Sequence, residues 1–257
     1  MSRSFILGFV IGLTLLGIAV GGNTNTKQKK VEEQKYQAEI ADATPVQIGV
    51  LTEKQRLHSK LHNGAGMKVG GKTISEWMAS YRGEKIVLVT DIMGRRFIPL
   101  NHSEPEIPED YFGRFAQESD AVIRGRAINR ISQITEDGTF LFTDYDLVVS
   151  EIFKDNTTTP IDKSKMITVT CLGGKIVLDD VILKAGGSSE ATLPINDHDV
   201  LLFLKFIPET GSYKLTRYDS GFELNGISVR PLVDDVPRRF LKNEDTFLKT
   251  VRIVSNK

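Results

Sequence analysis

Between Ala121 and Phe153 the side chains change character with a period of two, and no other feature restricts the chain as strongly. Leu141, Thr143, Tyr145, Leu147, Val149 and Phe153 share one parity, and Phe140, Asp144, Asp146 and Ser150 share the other. Ala121, Ile123, Gly125 and Ala127 alternate with Val122, Arg124, Arg126 and Ile128. Period two is the mark of strands with one buried face, because successive side chains leave a strand on opposite sides. Glu136-Asp137-Gly138, between the two runs, suits a three-residue hairpin loop with Gly138 in the left-handed region. That loop sets Arg130 opposite Asp144 on the outer face and Ala127 opposite Leu147 on the inner one.

Further strands are expected over Met166–Cys171, Lys175–Leu183, Val200–Ile207, Tyr213–Tyr218 and Phe222–Val229. Leu201-Leu202-Phe203-Leu204 is apolar on both parities, which predicts a central strand covered on both sides. Asp245–Val254 reads as a closing helix, with Phe247, Leu248 and Val251 on its packed side. A tract of about seven strands buries its inner face only in two packed sheets or a closed barrel. The expected fold is mainly β: an antiparallel OB-like barrel or sandwich over residues 111–257 with a short C-terminal helix. A small mixed α+β module precedes it at 46–110.

The module carries its own start signals. Thr52-Glu53-Lys54-Gln55 has the form of a capping box and opens a helix to about Leu61, with Leu57 and Leu61 on its buried side and Asn63-Gly64 ending it. Thr73-Ile74-Ser75-Glu76 is a second capping box, opening a helix through Trp77 and Tyr81. Ile86–Val89 reads as a short strand, Glu104–Asp110 as a proline-punctuated surface loop, and Tyr111–Gln117 as a helical turn or two.

At the other end, Phe5 to Gly22 contains no charged residue. As a helix of 18 residues at ~1.5 Å each it reaches roughly 27 Å, close to a bilayer core. Two readings fit. A cleaved signal peptide would use the small residues Ala19, Gly21 and Gly22; a retained membrane anchor would keep the segment. Lys27, Lys29, Lys30 and Lys35 follow it and only Arg3 precedes it, so the positive-inside rule alone would hold the rest of the chain in the cytoplasm. The form of the segment favours export. The expectation is residues 1–22 as leader or anchor, 23–45 as a polar tether, and an exported, membrane-anchored or periplasmic/extracellular location.

Lys+Arg and Asp+Glu are 33 each, so no excess of positive charge points to nucleic acid. The charge is uneven: residues 136–199 hold 12 acidic and 5 basic side chains. That distribution suits either an acidic face for a cationic partner or a solvated sheet face. A single Cys cannot form an intramolecular disulfide or a multi-cysteine zinc site.

Three patterns carry possible chemistry. Gly66-Met67-Lys68-Val69-Gly70-Gly71-Lys72-Thr73 matches a phosphate-binding loop letter for letter, with Gly66, Gly71, Lys72 and Thr73 in the phosphate- and magnesium-binding places. Such a loop must follow a buried strand, whereas a capped helix precedes this one. The plainer reading is a Gly-rich connector whose Thr73 caps the next helix. His58 and His62 lie one turn apart, a metal-ligand spacing, but Ser59 stands where a zinc protease needs Glu, and no third ligand is identifiable. The plainer reading places them on the surface beside the Leu57/Leu61 stripe. Cys171 and His198 are a conceivable nucleophile and base, but Cys171 shares parity with Ile167 and Val169 and belongs to the inner face. Asp144, Asp146, Asp179, Asp180, Asp197 and Asp199 form no EF-hand loop.

The runs Ser119-Asp120-Ala121-Val122-Ile123-Arg124-Gly125-Arg126, Tyr145-Asp146-Leu147-Val148-Val149-Ser150-Glu151-Ile152-Phe153-Lys154 and His198-Asp199-Val200-Leu201-Leu202-Phe203-Leu204 resemble netrin-like domains. Those domains include the tissue inhibitors of metalloproteinases and bacterial relatives. The resemblance spans roughly residues 119–229 and implies an OB-type barrel. Inhibitory members begin with a cysteine whose amine chelates the protease metal and carry several disulfides; here Cys171 stands alone.

These features lead to the expectation of a non-catalytic, exported or membrane-tethered protein, held at the membrane through residues 5–22, that binds an unidentified protein or envelope component. No cofactor is expected. The alternatives are nucleotide binding through Gly66–Thr73 and protease inhibition of the netrin-like kind.

Overall fold

The computed structural model describes residues 28–46, 49–95, 107–185, 192–233, 241 and 243–256. The apolar run at 5–22 lies outside them. Among the described residues no helix is long and apolar enough to cross a membrane, so the expected transmembrane helix is not found there. The chain divides into two units, residues 1–43 and 44–257. In the first, residues 28–41 form helix α1. In the second the elements are β1 (Thr44–Pro45), α2 (Glu53–His62), β2 (Gly66–Met67), a 3-10 turn (Val69–Gly71), α3 (Ile74–Met78), β3 (Ile86–Leu88), α4 (Val89–Ile92) and β4 (Gly94–Arg95). Then come α5 (Pro108–Glu118), β5 (Ala121–Ile134), β6 (Leu141–Asp155), β7 (Met166–Leu172), β8 (Gly174–Leu178), β9 (Val181–Ala185), β10 (Asp199–Ile207), β11 (Ser212–Leu215), β12 (Gly221–Leu224), β13 (Val229–Pro231) and α6 (Glu244–Ser255).

Both capping boxes form. Thr52 and Thr73 accept from the amides of Gln55 and Glu76, whose side chains reach back to the cap backbone. The expected strand over Lys175–Leu183 is instead a hairpin. Asp179 and Asp180 have φ of 48° and 63°, a two-residue turn between β8 and β9. Asp tolerates the left-handed region because its short carboxylate bonds locally, and without a glycine the turn left no strong mark in the sequence.

The strands form two mixed sheets and a two-stranded ribbon, β2 with β4. The four-stranded sheet has the order β1-β8-β9-β3, with β1 parallel to β8 and β3 parallel to β9. The seven-stranded sheet has the order β11-β7-β6-β5-β10-β12-β13. Here β11 runs parallel to β7 and also pairs antiparallel with β10. This α+β arrangement corrects the expectation of a mainly β chain built as an antiparallel OB-like β-barrel or sandwich. Alternation reports which face of a strand is buried; it carries nothing about the direction of the neighbouring strand. The parallel partner β1 comes from the end of the expected tether and β3 from the module expected to stand apart, and they flank the β8–β9 hairpin on both sides.

The β5–β6 register is also corrected. Ala127 faces Leu147 as expected, but the register slips between Ala127 and Asn129. Arg130 therefore faces Tyr145, and Asp144 faces Ile131. The Thr135 amide donates to the Phe140 carbonyl, so the loop holds Glu136–Thr139, one residue more than the three expected, and the bulge at Ile128 restores the expected register only from Ala127 outward. Asp144 is thereby left to another partner.

Strand β10 separates two apolar clusters. Val200, Leu202 and Leu204 join Ile123, Leu147 and Val169 on one side. Leu201 and Phe203 join Phe112, Phe115, Phe222 and Phe247 on the other. The helices α5 and α6 supply that second cluster. Pro108 starts α5 with Glu109 and Asp110 in its first turn, a charge order that suits the helix dipole. Phe112 meets Phe247 and Phe222 edge-on, at centroid separations of 5.1 and 5.6 Å. A third cluster, with Ile74, Met93, Phe140 and Ile176, sits at the four-stranded sheet. Phe112 has no exposed surface, so Phe112→Ala is expected to lower stability by about 3–5 kcal/mol. Urea unfolding of the variant checks this, and a loss below about 1 kcal/mol would contradict the packing described.

Candidate functional site

A sheet face bearing carboxylates and hydroxyls cannot be covered by leucines without stranding those groups. Beyond the bulge, β6 carries Asp144 and Asp146, paired in register with Thr170 and Thr168 of β7, and Lys214 of β11 is in register with Thr170. Helix α2 lies over this face with polar side chains inward. His58 and Ser59 are buried, while Leu61 is exposed and Leu57 is half-buried. The expected arrangement, leucines in and histidines out, is inverted.

Lys54, His58 and His62 are four residues apart and so occupy one helical face. Lys54 Nζ donates to Thr168 Oγ1 at 2.9 Å. His58 Nδ1 is 2.8 Å from Asp144 Oδ1. His58 Nε2 is 2.6 Å from Ser212 Oγ and 3.1 Å from Thr210 Oγ1, and those two hydroxyls also bond each other. His62 Nε2 is 3.2 Å from Thr170 Oγ1, and its ring stacks on Phe142 with centroids 6.0 Å apart. At the end of α2, Ser59 Oγ accepts from the Glu136 amide, and the Gly64 amide donates to Asp137. Burial pushes the Asp137 carboxyl upward, but hydrogen bonds from Thr135, Gly64 and Thr139 outweigh it and hold the group below its ordinary value.

An ionised Asp144 can only accept, so His58 Nδ1 carries the hydrogen and Nε2 accepts from a hydroxyl. Carboxylate, imidazole and hydroxyl in that order are the parts of a nucleophilic hydrolase. Access decides what they do here. His58 and Ser212 have no exposed surface, and the imidazole belongs to the covering helix itself. A displacement of α2 that lets a substrate reach Ser212 also removes the base. The set fastens α2 to the sheet.

Elsewhere, Gly66 lies in β2, in register with Arg95 of β4. Gly70 and Gly71, with φ of 61° and 77°, belong to the 3-10 turn, Lys72 is exposed, and the Thr73 hydroxyl bonds the Glu76 carboxylate at 2.9 Å. Bonds from the Thr73 backbone and hydroxyl hold the exposed Glu76 carboxyl below its ordinary value. Gly66–Thr73 thus joins a helix, a two-residue strand and a short capped helix. Cys171 sits in the sheet interior, where burial and then Asp144 push its thiol up to about 12. His198 is 2.9 Å from Glu223. His58 and His62 share a helix face but take different partners. Among the described residues no group of three or more His, Cys, Asp and Glu is arranged to hold a metal. An open cleft of about 360 Å³ is lined by Arg56, Ser75, Gln133 and Glu136 among others. Gln133 Oε1 is buried without a hydrogen-bond partner.

Sequence reasoning missed Ser212 and Thr210, and it assigned Asp144 to Arg130. The available signal was the shared polarity of two surfaces: Lys54, His58 and His62 on one helix face, and Asp144, Asp146, Thr168 and Thr170 on one sheet face. Compared with known proteins, the chain matches no family model and no curated protein.

Removing one partner of a buried hydrogen-bonded pair leaves the other unsatisfied. His58→Ala and Asp144→Ala are each expected to lower stability by about 2–4 kcal/mol. The double variant should lose less than the sum, by about 1–3 kcal/mol. A urea-unfolding double-mutant cycle measures this, and strict additivity would refute the coupling.

Proposed function

We propose that the protein is a non-catalytic binding protein, exported or membrane-tethered, that engages a protein or another component of the cell envelope. The observation that carries the non-catalytic part is the burial of Ser212 beneath the helix that bears its imidazole partner. The histidine–carboxylate–hydroxyl chemistry is spent on holding α2 in place. The Thr73 hydroxyl caps α3, and Cys171 is protonated and shut in the interior. The uncharged run from Phe5 to Gly22 supports the location, since a stretch of that length is most favourably placed in a bilayer or in export machinery.

Binding proteins present groups that folding does not consume. Ile128, Ile131 and Met166 are 39%, 40% and 56% exposed on the strands β5 and β7, where alternation otherwise places polar side chains. They offer apolar side chains at a sheet surface, of the kind the cores of protein interfaces use.

Incubation of the folded protein with a fluorophosphonate at neutral pH, followed by mass spectrometry, tests the reading. No adduct at Ser212 or Thr210 is expected; stoichiometric labelling of either would replace it with that of a hydrolase. A reporter fused after Lys257 and active only outside the cytoplasm should be active, and activity confined to a cytoplasmic reporter would defeat the location.

A further inference from the structure

We propose that the protein deamidates itself at Asn225: Gly226 N attacks the Asn225 side chain while Glu244 takes the proton, and the ring that forms opens to an aspartyl or isoaspartyl residue. The chain has two Asn-Gly pairs, Asn63-Gly64 and Asn225-Gly226, in which the nitrogen of a residue without a Cβ stands open to such attack. The fold treats them differently. At the end of α2 the Asn63 side chain turns back, and its Oδ1 accepts from the buried Ser59 hydroxyl at 3.3 Å. Between β12 and β13 the Asn225 side chain turns forward. Its Oδ1 accepts from the Ile227 amide at 3.1 Å, the Ser228 amide at 2.7 Å and the Ser228 hydroxyl at 3.2 Å. An oxygen held by residues 227 and 228 draws its own carbon, Cγ, over the intervening peptide and toward Gly226 N.

Gly226 N donates to Glu244 Oε2 at 2.6 Å, so the proton that must leave already has an acceptor. Glu244 is fixed there: its side chain meets Arg124 at 3.3 Å, and its own amide donates to Ile227 O. Gly64 N also meets a carboxylate, Asp137 Oδ2 at 2.6 Å, so the direction of the Asn side chain is what separates the two pairs. The amides of Ile227 and Ser228 point at the oxygen on which negative charge develops. As Gly226 N bonds to Asn225 Cγ, the Cγ–Nδ2 bond breaks and Nδ2 leaves as ammonia with the proton that Gly226 gave up. Water then adds to the imide. Cleavage of the new Cγ–N bond leaves an aspartyl residue. Cleavage of the original peptide bond leaves an isoaspartyl residue, with an extra methylene in the main chain. Asn225 and Gly226 are exposed, and apart from chain neighbours nothing lies within 4 Å of where a Gly226 Cβ would stand, so water reaches the ring. Either product adds a negative charge to a turn tied to the start of α6.

Incubation of the folded protein at mildly alkaline pH, followed by peptide mass spectrometry, counts the acid formed at each Asn-Gly pair. Asn225 should convert faster than Asn63 by about tenfold or more. In guanidinium chloride, where neither side chain is held, the two rates should be similar, and Asn225 should react no faster there than in the folded protein. Glu244→Gln keeps a neutral acceptor at the Gly226 amide and should slow conversion at Asn225 by about tenfold while leaving Asn63 as it was. If that variant does not fold, the comparison of folded and unfolded protein decides alone. Equal rates at the two pairs in the folded protein, or slower conversion of Asn225 there than in the unfolded chain, would show that the fold shields the pair and would overturn the proposal. A folded Glu244→Gln variant that converts Asn225 at the natural rate would overturn it as well.

Discussion

The architecture depends on β10 being apolar on both faces. A strand of that kind cannot lie at a surface, so it must sit between two covering layers. Val200, Leu202 and Leu204 turn toward the sheet interior and Leu201 and Phe203 toward α5 and α6. β5 pairs along one side of β10, and β12 and β11 pair along the other. The two apolar clusters are thereby set back to back, and the positions of the terminal helix and of the long β5–β6 hairpin follow from that.

The outer face of the hairpin has a different logic. The register set between the hairpin loop and the bulge at Ile128 keeps Arg130 off Asp144, and a carboxylate that is only about an eighth exposed, 12% at its side chain, needs another partner. His58 supplies it, and with it comes the whole of α2. One register shift thus decides which face of a helix packs. Ion pairs elsewhere on the surface follow ordinary lines. Arg124 and Arg126 hold Asp199, and Arg124 also reaches Glu244 at the start of α6, which joins the strand ends to the terminal helix. Only the Arg126 end of this set is well exposed, where a pair contributes modestly to stability; Glu244 is buried.

The arrangement of carboxylate, imidazole and hydroxyl shows how far a list of side chains can stand from a function. In sequence, His58, Asp144 and Ser212 are scattered and carry no motif. In space they take the order of a hydrolase relay, yet the imidazole belongs to the helix that covers the hydroxyl. Chemistry depends on which element supplies each group and on whether a substrate can arrive without dismantling the set.

What could be read without the tertiary structure was local. The capping boxes at Thr52 and Thr73, the left-handed Gly138, the closing helix and the double-faced β10 all follow from backbone geometry within a few residues, where side-chain chemistry acts directly. The parallel placement of β1 and β3 around β8 and β9, the slip at Ile128 and the inward face of α2 were decided by contacts between distant segments. Leucines at 57 and 61 and histidines at 58 and 62 suit two opposite orientations of the same helix, and its propensities are equal in both. Only the polar strands beneath it choose, because unsatisfied carboxylates and hydroxyls cost more than an exposed leucine.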